Sequence, residues 1–163
     1  MKKLSKTAGT LALTLAVAGL PGLGTGTASA GEFHGAKSTQ SHYGVIFHID
    51  AGGDKAIKKT LNNVENLLND PRVKGKLTVE LLANSAGYDV YLKNNGFEKR
   101  LRELQKDGVI LAQCSNTLRE KHVQRSKLYS FVHLVPSGMG EITLREAQGW
   151  AYIHPSARNT SSF

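Results

Sequence analysis

The chain has 163 residues, with 21 Lys and Arg against 13 Asp and Glu, a formal net charge of +8 and a single cysteine. That length suits one domain, and one cysteine excludes an internal disulfide. The basic residues are spread over every predicted helix without interleaved aromatics, so no nucleic-acid partner is expected.

Lys2, Lys3 and Lys6 precede an uncharged run from Thr7 with an apolar heart at Leu11 to Leu20, then Pro21, glycines and Ala28-Ser29-Ala30. This pattern reads as a cleavable secretory signal peptide over residues 1–30, cut before Gly31. Its heart is too short and too rich in Gly and Thr to span a bilayer, and no later segment is apolar enough, so no stable membrane insertion is expected. The leader has neither a lipoprotein cysteine nor paired arginines. The expected product is a soluble protein exported to the periplasm or the extracellular space. It carries a charge of +5, because three basic and no acidic residues leave with the leader.

Residues 31–41 are polar and glycine-containing and read as a flexible arm before a domain over 42–155. Tyr43 to Ile49 is an apolar β-prone run with strand character, closed by Asp50, Gly52 and Gly53. With Asp54 as N-cap, Ile57, Leu61, Val64 and Leu68 recur at helical spacing until Asp70-Pro71. Leu77 to Ala83 reads as a second strand, followed by Asn84 and Ser85. A short helix from Ser85 to Leu92 and another through Phe97, Leu101 and Leu104 lead to Gly108, a C′ glycine. Val109 to Ala112 is a strand that runs into Cys114 and a helix from about Asn116 through Val123. Phe131 to Val135 is a strand stopped by Pro136, Met139 to Gln148 a helix, and Trp150 to Ile153 a final strand. Residues 156–163 form a polar tail that reads as flexible. Strands alternating with helices predict the α/β class: a three-layer α/β/α sandwich with a mainly parallel five-stranded sheet.

In such a sheet, chemistry collects beyond the carboxyl ends of the strands. Cys114 lies at one of these ends, where the free N–H groups and dipole of a helix start favour a thiolate. Arg119, Lys121 and Arg125, opposed by Glu120, are expected to push the same way. A lone cysteine serves equally well as a small buried hydrophobe. His48 ends the first strand and could act as a general base or steady the thiolate, or could simply be hydrogen-bonded at the strand end. Asn84, Asn116, Thr117 and Gly138 are the other candidates to line the site. Scattered histidines beside one cysteine predict no metal. Asp50-Ala-Gly-Gly53 is too acidic and short to cradle a phosphate, so no cofactor is expected.

Phe47-His-Ile-Asp50, Cys114-Ser-Asn-Thr-Leu118, Val135-Pro-Ser-Gly-Met-Gly140 and Gln148-Gly-Trp-Ala-Tyr-Ile-His-Pro155 together resemble the exported branch of the DsrE/DsrF-like sulfur-relay family. The resemblance covers about Tyr43 to Pro155. It implies a three-layer α/β/α fold, a homo-oligomer, and sulfur carried as a persulfide on a cysteine that follows a central strand, the position of Cys114. Asn116 and Thr117 match the exported-branch motif. The expected function is therefore an exported persulfide carrier that takes sulfane sulfur from a donor and passes it to an acceptor protein or small thiol. The alternative is a non-catalytic oligomeric binding or assembly module with Cys114 as packing. Met139, Ile142, Leu144 and Trp150 offer more apolar surface than one short helix can bury, which also points to a homo-oligomer.

Overall fold

The computed structural model describes residues 33–155; the expected signal peptide and C-terminal tail fall outside the described residues. Phe33–Gly35 carry no regular structure, and the compact domain begins at Ala36. Part of the segment read as an arm is tied down: the backbone N–H groups of Thr39 and Gln40 donate to the Tyr43 hydroxyl at 2.8 and 2.9 Å.

The elements are β1 (Tyr43–Ile49), α1 (Asp54–Asn69), β2 (Leu77–Ala83), a 3₁₀ segment (Ser85–Tyr91), α2 (Glu98–Lys106), β3 (Ile110–Cys114), α3 (Ser115–Glu120), a 3₁₀ turn (Arg125–Lys127), β4 (His133–Val135), α4 (Gly138–Ala147) and β5 (Ala151–Ile153). The strands form one sheet in the order β4-β3-β2-β1-β5, and every neighbouring pair is parallel. The protein is thus an α/β sandwich of the expected class. Three local expectations shift. Asp54 is the first residue of α1 rather than its cap; Gly53, at φ 83°, takes the cap position. The helix after Cys114 stops at Glu120, because the chain turns through a left-handed His122. Phe131 lies outside β4, its ring stacked on Tyr129 at 5.2 Å.

Side chains alternate across the strands, so each strand feeds both faces. On one face Val45, Phe47, Val79, Leu81 and Leu111 meet Ile57 and Leu61 of α1, Leu101 and Leu104 of α2, and Leu118 of α3. Tyr91 is fully buried there, its hydroxyl donating to the Leu81 carbonyl at 2.5 Å. The other face is thinner: Ile46, Leu82 and Ala112 meet Ile142 of α4, flanked by Val135 and Trp150. Gly44 leaves room for the Trp150 ring; a Cβ there would come within 2.5 Å of it.

Under α4 sits a buried carboxylate. Glu80 is wholly buried in β2 and accepts from Arg145 Nε at 2.8 Å, while Arg145 also reaches Glu141 at 2.9 Å and lies 4.2 Å over the Trp150 ring. Burial pushes the Glu80 carboxyl up, the Arg145 charge pulls it back in part, and the Glu141 carboxylate raises it again. A buried charge that loses its partner is costly, whereas an apolar replacement of both partners is far better tolerated. Arg145→Met is therefore expected to lower unfolding stability by about 3–5 kcal/mol, and adding Glu80→Met to recover most of the loss, both read from urea denaturation midpoints.

Candidate functional site

All five strands point the same way, so their carboxyl ends share one edge of the sheet. Cys114 is the last residue of β3 and the N-cap of α3. Its strand lies between β2 and β4, which decides its neighbours: Asn84 just beyond β2, and Gly138 at the start of α4 just beyond β4. The backbone N–H of Gly138 donates to Cys114 Sγ at 3.2 Å. That N–H belongs to the first turn of α4 and has no partner within its own helix, so the sulfur fills a vacancy the helix start creates. Ser137 caps the same helix, its hydroxyl accepting from the Gly140 N–H at 3.3 Å. Beyond the sulfur lies a cavity of about 160 Å³, walled by Asn84, Asn116, Thr117, Ser137 and Met139 among others.

Cys114 is 5 % exposed. Burial raises the pKa of its thiol, but the backbone N–H groups of Thr117, Gly138 and Asn116 and the Thr117 hydroxyl outweigh burial and bring it below the ordinary thiol value. The Thr117 hydroxyl is itself held in place, accepting from the Ser85 N–H at 3.1 Å. The poise of the sulfur thus comes from peptide dipoles. Arg119, expected to act on it, lies along a neighbouring groove and donates to Asn116 Oδ1 at 2.9 Å.

His48 does not reach the thiol. Its strand, β1, is separated from β3 by β2, and both its ring nitrogens are engaged elsewhere: Nε2 with Asn84 Oδ1 at 2.8 Å, Nδ1 with the Tyr152 hydroxyl at 2.7 Å. A carbonyl oxygen only accepts, so Nε2 carries the proton and Nδ1 accepts from Tyr152. Burial lowers the His48 pKa, its bond to Asn84 working the other way, and the ring is held neutral near pH 7. With its oxygen committed to His48, Asn84 keeps its amide nitrogen for other partners. That nitrogen lies 3.6 Å from where a Cβ on Gly138 would stand, a point itself 3.4 Å from Cys114 Cβ. His154 completes the row at the sheet edge, stacking on His48 with centroids 5.0 Å apart and pairing with Asp50 at 2.8 Å.

The structure therefore gathers Cys114, Asn84, Asn116, Thr117 and Gly138 around one cavity and places His48 behind Asn84. Sequence reasoning missed Tyr152. Its place in the Ala151-Tyr-Ile-His154 run becomes informative only once β5 is known to pair with β1. Among the described residues, no three His, Cys, Asp or Glu side chains are grouped to hold a metal ion.

These features define a three-layer α/β protein with a poised thiol at the end of an interior strand, β3. No protein-family model matches the chain, and no curated protein matches it. Among solved structures it is similar to MTH1491 from Methanobacterium thermoautotrophicum, a protein of unknown function, at 35% sequence identity and a TM-score of 0.65 over 69% of this chain and 99% of that one. The chain belongs to the same family as MTH1491.

The thiol's environment gives a direct test. Alkylation follows the thiolate fraction, so the rate of iodoacetamide labelling against pH should show a midpoint below that of an unstructured cysteine peptide. Thr117→Val removes the hydroxyl donor while keeping shape, and is expected to move that midpoint upward.

Proposed function

We propose that the protein is an exported sulfur carrier of the DsrE/DsrF-like sulfur-relay type, with Cys114 as the carrying residue. The observation that carries this reading is the Gly138 N–H aimed at Cys114 Sγ at 3.2 Å, in the wall of a cavity of about 160 Å³. In the first step the Cys114 thiolate attacks the outer sulfur of a donor persulfide, R–S–SH. A new S–S bond forms on Cys114 as the donor's S–S bond breaks, the donor leaves as its thiolate R–S⁻, and the proton stays with the transferred sulfur. In the second step an acceptor thiolate attacks that outer sulfur and Cys114 departs as a thiolate. The balance is complete without an outside oxidant or reductant. The N–H groups that lower the Cys114 pKa also make it the better leaving group in that second step. Asn84, oriented by His48, supplies a neutral N–H donor near the outer sulfur.

Incubation with a small-molecule persulfide should add the mass of one sulfur atom to the intact protein, and Cys114→Ser should abolish the gain. A second reading, a binding module of the same fold with Cys114 as packing, is favoured by the thiol's low exposure. The two separate in one measurement: for a packing residue, labelling of the native protein stays slow at every pH and accelerates only on unfolding.

The same reading includes a symmetric homo-oligomer. On α4, Met139 and Leu144 are 53% and 60% exposed, although this helix is the main cover of its face of the sheet. A second copy would bury them. Sedimentation at micromolar concentration is expected to show an oligomer, and Leu144→Glu to shift it toward monomer.

A further inference from the structure

Charge is distributed unevenly around the thiol. Among the described residues, Arg72, Arg100, Arg102 and Arg145 each pair with a carboxylate. The cations around α3 do not follow that pattern: Arg119 turns to the Asn116 amide oxygen, Arg125 to the carbonyls of Tyr129, Ser130 and Val132, and Lys93 to the carbonyl of Ser126. Amide and carbonyl oxygens satisfy hydrogen bonds without cancelling charge. From Arg119 to Lys127 the chain carries Arg119, Lys121, Arg125 and Lys127 against Glu120 alone.

These residues border two depressions. One, of about 490 Å³, has an aliphatic floor of Leu118, Val123 and the 43% exposed Leu134, with Arg119 and Arg125 at its sides. The other, of about 840 Å³, carries Lys93 and Lys127 and shares His122, Val123 and Gln124 with the first. α3 is the partition between this basic surface and the thiol: Asn116, Thr117 and Glu120 line the cavity of Cys114, while Ser115, Leu118 and Arg119 line the groove.

We infer that this basic surface, the aliphatic-floored groove together with the depression beside it, is the docking face for an acidic protein segment, which brings the exchange partner to the mouth of the Cys114 cavity. The role of that segment in exchange rests on the sulfur-carrier reading, whereas the docking itself does not. Unneutralised cations complement carboxylates and speed encounter, and the apolar floor receives an aliphatic side chain between them. The groove beside α3 has no Phe, Tyr or Trp and the larger depression has one, the half-buried Tyr88, so the surface lacks the row of aromatics on which successive bases stack, which favours a polypeptide over single-stranded nucleic acid.

The test uses the full chain with a fluorescein-labelled oligo-glutamate peptide read by anisotropy. Binding is expected at low salt, with affinity falling about tenfold or more at high salt and about tenfold in Arg119→Glu/Lys127→Glu. The milder Arg119→Gln/Lys127→Gln should fall between, and Lys74→Glu/Lys106→Glu, at the opposite end of the sheet, should bind as the parent does. Cys114→Ser should also bind unchanged, so a failure of sulfur transfer and a failure of docking are read separately. Equal losses from the two charge-reversal pairs, no binding at low salt, or tighter binding of a single-stranded oligonucleotide of equal charge would each overturn the proposal.

Discussion

The parallel pairing of all five strands is the constraint on which the rest of the structure depends. A parallel ladder satisfies the backbone of each strand only when its neighbours run the same way, and the crossovers that make this possible must pass over the faces of the sheet. Every carboxyl end is thereby delivered to one edge. The register, Ile49 opposite Ala83, Ala83 opposite Gln113 and Cys114 opposite Val135, sets the residues that follow each strand side by side. A slip of one residue in β3 would send Cys114 to the opposite face, away from Gly138. The environment of the thiol is thus a property of strand pairing more than of the residues adjacent to it in sequence.

Within that frame, two opposing effects act on the sulfur. Removal from water disfavours the thiolate, and the N–H groups of Thr117, Gly138 and Asn116 favour it; the second group prevails. The donors come from two helix starts that the sheet brings together, and peptide dipoles fixed by helix geometry do not have to be ordered when charge appears. Side-chain cations would be flexible and screened by water. Arg119 and Arg125 stand instead along the far wall of α3, outside the cavity of the sulfur.

Much of this was legible in the amino-acid sequence. The runs Tyr43 to Ile49 and Leu77 to Ala83 emerge as strands with the expected bounds, because continuous β-prone runs between turn signals leave few alternatives. Strand order was not legible. Strands buried on both faces carry no mark of which neighbour they take, so His48 could not be placed relative to Cys114 until β2 was seen between them. The length of α3 misled for a local reason: Val123 sits at helical spacing, yet it packs on the core from beyond a left-handed His122, its N–H returning to the Leu118 carbonyl at 2.8 Å. The spacing reported that the side chain packs against the core and not how the backbone reaches it.

The two sides of α3 differ in size and in charge. A cavity of about 160 Å³ is small beside the depressions of about 490 and 840 Å³ on the other side of α3, so it offers a partner far less contact area than they do. On the sulfur-carrier reading, discrimination among partners comes from outside the cavity, where contact area is larger. The nearest such surface is the groove on the other side of the same six-residue helix, rich in cations and floored with Leu118, Val123 and Leu134. Asn116 and Arg119, neighbours one helical turn apart, are hydrogen-bonded at 2.9 Å, so a wall of the thiol's cavity and a side of the groove are fixed by one and the same contact.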